Sequence, residues 1–231
     1  MNRITSAVIA LTLVSGFSQA FGEDRPDQKL NDRAVDSSRI LDSYMLDTKE
    51  GIPSSLLQHA QCVVVIPALV KAGFIFGAKT GNGLASCRTV AGWSASSYTN
   101  ISGASFGFQA GLSVTELVLV FTSQKAVHQL GNGDLTLGAD AAIAIGPIGK
   151  DTQIGADILL KTEVFTYSRS AGLFAGVSID GSVVSPSNDD NRAMYGKDAS
   201  AKTLLVTQRS DAPASLLDFS SRLDRYAPNQ K

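Results

Sequence analysis

The first polar and apolar pattern along the chain has the period of an α-helix. Apolar side chains recur three, four or seven residues apart between Asp27 and about Thr48, at Leu30, Ala34, Leu41 and Met45. The Gly51-Ile52-Pro53 sequence interrupts the pattern and predicts the helix end. Ser54 then suits the N-cap of a second, short helix reaching Ala60.

After Gln61 the pattern changes to that of β-strands. The predicted strands lie at Cys62–Pro67, Gly73–Gly77, Leu84–Arg88, Gly103–Phe108, Leu117–Phe121, Leu135–Ile145, Glu163–Ser168 and Leu173–Asp180. Asn82-Gly83 and Asn132-Gly133 are typical of turns. Glycines recur inside several of these strands, which indicates bends, bulges or close backbone approach. We therefore expect a coiled sheet or partial barrel.

Helical patterns return between and after the strands. They cover Ser123–Leu130, closed by Gly131, then Asn188–Tyr195, Ala199–Val206 and a last helix that begins near Asp211 and Pro213. The order of elements predicts an α+β fold, in which N- and C-terminal helices flank a mostly antiparallel, Gly-rich sheet. No linker divides the chain, so residues 21–231 are predicted to form a single domain.

Residues 1–20 have the pattern of a secretory signal peptide. Arg3 precedes the apolar stretch Ile4–Val14, and Ser18-Gln19-Ala20 places small residues before a cleavage site. The alternative is a membrane anchor, which needs roughly 20 apolar residues, and the stretch Ile4–Val14 is shorter than that. Cleavage after Ala20 predicts a periplasmic or secreted protein. In such an oxidising compartment Cys62 and Cys87 can form a disulfide, the alternative being two buried thiols.

Composition and charge narrow the possible functions. The 231 residues are 44% hydrophobic, which excludes a disordered chain, and a net charge of −1 argues against nucleic-acid binding. The charge is unevenly distributed, however. Residues 62–130 carry Lys71, Lys79, Arg88 and Lys125 against Glu116 alone, whereas the segments on both sides are acidic. A mildly basic β region can meet anionic lipid head groups, although it can also be an ordinary solvated face.

The sequence offers little support for catalysis. It has only His59 and His128, and it lacks the His and Cys spacings of metal sites, so no metal or cofactor is predicted. Gly103-Ala104-Ser105-Phe106-Gly107 matches the Gly-x-Ser-x-Gly motif of hydrolases. That motif needs a strand–turn–helix context with an acid and a histidine downstream, whereas these flanks alternate like a strand. A hydrolase using Ser105 is therefore the weakest of the alternatives.

Several ordered blocks resemble the SYLF domain family over roughly residues 30–210. They are Ile66–Gly77, Cys87–Ser94, Ser105–Gly111, Glu116–Phe121, Leu137–Ala141, Tyr167–Ser178 and Asn191–Gly196. The resemblance implies a non-catalytic lipid-binding module. Eukaryotic members of the family are described as binding phosphoinositides and membranes, and some as binding actin. Bacterial members are described as exported, phospholipid-binding proteins.

One feature of the chain departs from the eukaryotic pattern, in which an N-terminal amphipathic helix binds membranes. The helix predicted here carries acidic residues along its polar face, at Asp27, Asp32, Asp36, Asp42 and Asp47, which anionic lipid repels. Its apolar side chains are therefore expected to pack in the core. Actin is not an expected partner of an exported protein.

The leading functional hypothesis is binding of a phospholipid or phosphoinositide-type head group at a membrane surface. Charge and position in the family-like blocks make Lys71, Lys79, Arg88 and Arg169 the candidate phosphate partners. The alternative is a structural or protein-interaction domain of the cell envelope.

Overall fold

The computed structural model describes residues 26–73, 76–106, 111–171 and 178–229. The helices are α1 Pro26–Leu46, α2 Ser54–His59, α3 Gln124–Asn132, α4 Ala156–Lys161, α5 Asn188–Tyr195, α6 Ala201–Leu204 and α7 Ala214–Tyr226. The strands are β1 Cys62–Gly73, β2 Phe76–Thr89, β3 Gly92–Trp93, β4 Ser97–Phe106, β5 Gly111–Phe121, β6 Leu135–Thr136, β7 Ile143–Ile145, β8 Val164–Ala171 and β9 Val183–Pro186. The predicted signal peptide, residues 1–20, lies outside the described residues, as does most of the strand predicted at Leu173–Asp180.

The strands form one curled sheet in the order β6-β9-β4-β2-β1-β5-β8-β7, with β3 paired to β2. Every named pair is antiparallel except β7 with β8, which is parallel. The sheet forms a half-barrel with helices before and after it in the chain. The predicted α+β class, with a mostly antiparallel coiled sheet, is therefore confirmed.

The two faces of the sheet pack against different elements. On the outer face, Val63 and Val65 join a core that contains buried residues of α1, α2 and α7. On the inner face, Val64 and Ile66 join a second core that includes buried residues of α3 and α6. This division follows from the period-2 alternation of a strand that is buried on both sides.

The segment from Leu135 to Ile143 packs against the inner-face core. β6 pairs with β9 at one edge of the sheet, and β7 pairs with β8 at the other edge. The prediction of one strand over Leu135–Ile145 is wrong because the chain turns between these edges, where the Asp140 carboxylate accepts a 2.7 Å bond from the Thr136 backbone N–H. Leu135 and Leu137 of this segment are fully buried in the inner-face core.

Asn82-Gly83 is not a turn, which corrects the sequence prediction. Both residues lie inside β2, where β1 carries a bulge between Val65 and Ala68. A Cβ atom at Gly83 would lie 1.8 Å from the Val65 carbonyl oxygen. Glycine is needed there for close backbone approach, and the same residue type also marks turns, which explains the wrong prediction.

The helix boundaries differ only slightly from the expectation. The α3 helix begins after Ser123, whose side chain caps it, and it continues past the predicted end at Gly131 to Asn132, with Gly133 as the C-cap. The Gly133 N–H closes the last turn on the Gln129 carbonyl at 3.1 Å. None of the helices in the described ranges has the length and apolarity needed to cross a bilayer.

The α1 helix packs against the outer face of the sheet, as its apolar spacing predicted. Leu30, Ala34, Leu41 and Met45 are all buried in the outer-face core. Tyr98 on β4 donates a 3.0 Å hydrogen bond to the Leu30 carbonyl, and Arg33 pairs with Asp190 of α5 at 2.7 Å. The helix is therefore a structural layer of the fold.

Cys62 and Cys87 face each other across β1 and β2, and their sulfur atoms are bonded. Both residues are almost completely buried beneath the inner-face core. The bond links the strands at the end of the sheet opposite the β1–β2 connection. The disulfide closes a loop of intermediate length. Such a bond stabilises the folded state mainly because it restricts the conformations of the unfolded chain.

Candidate functional site

The inner face of the sheet brings Lys71 and Lys79 together. They are direct partners in the antiparallel register of β1 and β2, one pair beyond Leu69 and Gly81 on the same face. Directly opposed residues have Cβ atoms about 5 Å apart, and like charges at such positions are destabilising. The two strands thus hold two lysines at directly opposed positions, where their positive charges repel each other.

Lys79 is also buried, with 3% of its surface exposed. Its Nζ donates to the backbone carbonyls of Ser178 at 2.9 Å and Asp180 at 3.4 Å. Burial lowers the pKa of Lys79, the nearby Lys71 charge lowers it further, and Asp180 partly opposes both effects. The protein therefore holds a positive charge in surroundings that disfavour it.

Gly103 and Ser182 complete the surroundings of Lys79. A Cβ atom at Gly103 would lie 2.7 Å from the Lys79 Cε, so the glycine on β4 leaves room for the lysine stem. The Ser182 hydroxyl lies 3.2 Å from the same Cβ position. It is fully buried and has no hydrogen-bond partner among the described residues. A buried hydroxyl without a partner is costly, and a bound acceptor would satisfy it.

Further hydroxyl groups lie on the β5 side of the pair. Lys71 is opposite Ser113 of β5, and Thr115 occupies the next position on the same face. The Thr115 hydroxyl exchanges a 2.9 Å hydrogen bond with that of Ser170 on β8. Ammonium groups combined with hydroxyls are donors suited to a phosphate or sulfate-like anion.

Arg88 lies at the other end of β2, far from the lysine pair in register. Its guanidinium donates to the carbonyls of Leu57 and Ala60 and to the C-terminal residues Ala227 and Asn229, and it stacks 4.8 Å from the centre of the Trp93 ring. Burial lowers the pKa of Arg88, opposed by Asp224. The donors of Arg88 are engaged in joining α2 to the chain end.

Arg169 lies on the outer face, where it joins β8 to the end of α1. It pairs with Asp47 at 2.8 Å and stacks 4.0 Å from the centre of the Tyr44 ring. Backbone N–H groups of Glu50 and Lys49, followed by the Arg169 charge, lower the pKa of the Asp47 carboxyl. Glu116 is the cross-strand neighbour of Arg169. Two carboxylates therefore compete with any anion for this guanidinium.

The structure thus brings together two of the four candidate phosphate partners and separates the other two. Reasoning from the sequence missed Thr115, Ser170 and Ser182, because neutral hydroxyls carry no signal of their own. The absence of Asp and Glu from 62–115 was a usable signal, since the lysine pair lies within that stretch. Arg88 and Arg169 stay predictions as lipid contacts.

The Gly-x-Ser-x-Gly motif does not occupy the context that a hydrolase needs. Gly103, Ala104 and Ser105 lie within β4, paired to β2, and the next element among the described residues is the strand β5. A nucleophile elbow requires a sharp strand-to-helix turn.

Comparison with known proteins connects the chain to actin-linked proteins. Residues 102–226 match the model of the Ysc84 family, described as "Las17-binding protein actin regulator". The chain is 37% identical over 188 residues to an SH3 domain-containing protein of Schizosaccharomyces pombe, covering 78% of this chain and 44% of the relative. It is 34% identical over 204 residues to SH3 domain-containing YSC84-like protein 1 of Homo sapiens, covering 85% of this chain and 59% of the relative.

A third relative bears on the expected partners. LAS seventeen-binding protein 3 of Saccharomyces cerevisiae is 32% identical over 196 residues, which cover 81% of this chain and 42% of the relative. The chain therefore spans about half the length of the curated relatives that it matches. The expectation that excluded actin is wrong, because the matched family is described as an actin regulator and its relatives bear Las17-binding names. The exclusion rested on the export prediction, which no described residue tests.

Proposed function

Because the chain belongs to the Ysc84 family, the family of SYLF domains, we propose that it binds lipids with an anionic phosphate head group. The head group contacts Lys71 and Lys79 on the inner face of the half-barrel, with Ser113, Ser182 and Thr115 nearby. The role is one of binding and involves no covalent chemistry.

The observation that carries this proposal is the direct opposition of Lys71 and Lys79 in the β1–β2 register. Without an anionic ligand this arrangement is costly, because two ammonium groups repel and Lys79 loses hydration. The two carbonyls that accept from Lys79 offset only part of that cost. A phosphate reverses both penalties because it supplies opposite charge and several acceptors at one point. Such locally unfavourable charge clusters are typical of binding sites.

The second candidate function is binding of a protein partner linked to actin regulation. The observation that favours it is the family description together with the Las17-binding name of a relative that shares 32% identity. The two functions differ in what the purified protein captures. A lipid ligand is recovered by solvent extraction and mass spectrometry, whereas a protein partner is recovered by affinity capture.

A vesicle-binding experiment tests the lipid proposal directly. The wild-type protein is sedimented with neutral phosphatidylcholine vesicles and with vesicles that contain phosphatidylglycerol. We expect binding to the anionic vesicles and a loss of roughly tenfold or more in Lys71→Glu. A basic residue near an anionic surface contributes about 1 kcal/mol, and the glutamate adds a repulsion of about the same size.

Lys161→Glu is the matched control, because it changes the net charge equally. Lys161 is exposed on α4, near the start of β8 at the opposite end of the sheet. The affinity of the Lys161→Glu variant for anionic vesicles should stay close to that of the wild type. Equal losses in the two variants would show that total charge, rather than the lysine pair, determines binding. Equal binding of the wild type to neutral and anionic vesicles would overturn the electrostatic part of the proposal.

A further inference from the structure

At one end of the sheet, the described residues leave the outer face exposed. We call this the glycine end, because Gly73 of β1, Gly77 of β2 and Gly111 of β5 are neighbours in register there. One row across four strands consists of Leu112, Ala72, Ala78 and Ala104, and all four residues are exposed. The exposed surface is 69% for Leu112 and 38% for Val114 on the next row.

Phe76 extends this surface toward the tip of the sheet, with 72% of its own surface exposed. Elsewhere on the same face, α1 and α7 contribute to the core that buries Val63, Val65 and Leu84. The glycine end therefore combines an apolar sheet face with no described helix over its outermost row. Contiguous exposed apolar surface on a protein commonly marks an interaction site.

The charge at this end is also unusual. No Asp or Glu occurs between Cys62 and Thr115 or between Val164 and Ile179. The first carboxylate along β5 is Glu116, which lies opposite Arg169 in register. Lys71 and Lys79 lie only two residues from Gly73 and Gly77, on the inner face. An end that is apolar on one face and basic on the other complements an anionic bilayer.

We propose that the glycine end is the membrane-facing surface of the protein, with Leu112 and Phe76 at the head-group boundary of an anionic bilayer. This inference rests on the proposed lipid-binding function and adds the orientation of the molecule on the membrane. It assigns docking to the sheet, whereas α1 remains a layer of the core.

The dimensions of the sheet agree with this orientation. A strand rises about 3.4 Å per residue, so Leu112 and Lys71 lie within about 7 Å of the level of Gly111 and Gly73. Apolar side chains of interfacial elements enter the head-group region by about 5–10 Å. At that depth Leu112 reaches the acyl boundary while the lysine pair stays level with the phosphates.

Site-specific labelling tests the orientation. Both native cysteines are bonded to each other, so a single added cysteine can be labelled with an environment-sensitive fluorophore. The label is placed at Leu112→Cys and, as a control, at Leu160→Cys on α4, where the native leucine is 86% exposed near the opposite end of the sheet. The probes are phosphatidylcholine vesicles with and without phosphatidylglycerol.

We expect the label at position 112 to shift its emission to the blue and brighten about twofold or more with anionic vesicles. The label at position 160 should stay unchanged. The same response at both positions, or a response at position 160 alone, overturns the proposal. A shift at position 112 that occurs without vesicles and rises with protein concentration also overturns it, because a second copy of the chain then covers this face.

A second pair of variants separates failure of this inference from failure of the proposed function. Leu112→Glu should weaken binding to anionic vesicles by about tenfold, and Leu160→Glu should bind like the wild type. If the wild type binds no vesicle, the proposed function fails. If the wild type binds and Leu112→Glu binds equally well, the function stands but the glycine end is not the docking surface.

Discussion

Single residues with unfavourable surroundings mark the candidate site. Lys79 is buried beside another lysine, Gly103 leaves space for its stem, and the Ser182 hydroxyl has no partner among the described residues. Each feature costs stability by itself, and together they describe a site arranged for an anion. Arg88 lies away from this cluster, where its guanidinium joins α2 to Ala227 and Asn229.

Replacing Lys79 by methionine should retain stability at pH 7 or raise it by about 1 kcal/mol, because a buried charge is exchanged for an apolar chain of similar length. Ser178 and Asp180 are exposed, so water can replace the donor on their carbonyls. The same variant should lose affinity for anionic vesicles. Urea unfolding and vesicle sedimentation measure the two effects.

The pH dependence follows from the lowered pKa of Lys79 in the folded state. Between that value and the unfolded value near 10.5, the unfolded chain binds more protons, so this group makes wild-type stability rise with pH. The stability of Lys79→Met minus that of the wild type should therefore decrease from pH 7 toward pH 10.5. A stability difference that stays constant or increases over this pH range would contradict a lowered pKa of Lys79 in the folded protein.

At the scale of elements, the amphipathic helix α1 packs in the protein core and does not serve as a membrane-binding helix. The helix buries one face in the outer core, and its acidic residues form contacts with other elements, such as Asp42 with Arg222 and with Tyr226 of α7. The Tyr226 hydroxyl donates to Asp42 at 2.7 Å. The apolar face that this helix buries in the core is therefore not available to a membrane.

Two leucines of the same helix test this role. Leu41 is fully buried and Leu46 is 70% exposed. Leu41→Ala should lower the free energy of unfolding by about 2–4 kcal/mol, because a cavity forms in the outer core. Leu46→Ala should change it by less than about 0.5 kcal/mol. Urea denaturation followed by circular dichroism measures both. Equal small effects would mean that α1 does not depend on this packing.

At the scale of the whole molecule, positive and negative charge are separated along the sheet. The glycine end carries Lys71, Lys79 and an exposed apolar face, while the opposite end lies next to acidic residues such as Asp157 and Glu163. This separation gives the molecule a preferred orientation near an anionic surface. Its near-zero net charge conceals the asymmetry.

Salt should therefore weaken binding to anionic vesicles without unfolding the protein. Exposed charges are screened over about 10 Å at 0.1 M salt and about 3 Å at 1 M. We expect affinity to fall by roughly tenfold between 50 mM and 500 mM NaCl, an estimate that follows from this screening. Vesicle flotation measures the fall, and circular dichroism checks the fold. Affinity that rises with salt would indicate purely apolar binding.

The sequence by itself determined the fold class, the strand-rich centre and the packing role of α1, because helix and strand periodicity are local properties of the chain. It also indicated the basic β region, since charge can be counted without coordinates. The family resemblance was confirmed by the match over residues 102–226. The exclusion of actin failed because it depended on the cellular compartment rather than on a residue.

Only the tertiary structure decided which candidates meet. Register between β1 and β2 opposed Lys71 to Lys79. Packing of the helices on the sheet placed Arg88 near Ala227 and Arg169 beside Asp47. Strand pairing also explains why Asn82-Gly83 is not a turn: these residues lie in β2 beside a bulge in β1. Pairing between strands distant in sequence depends on the packing of both faces, so no local pattern specifies it.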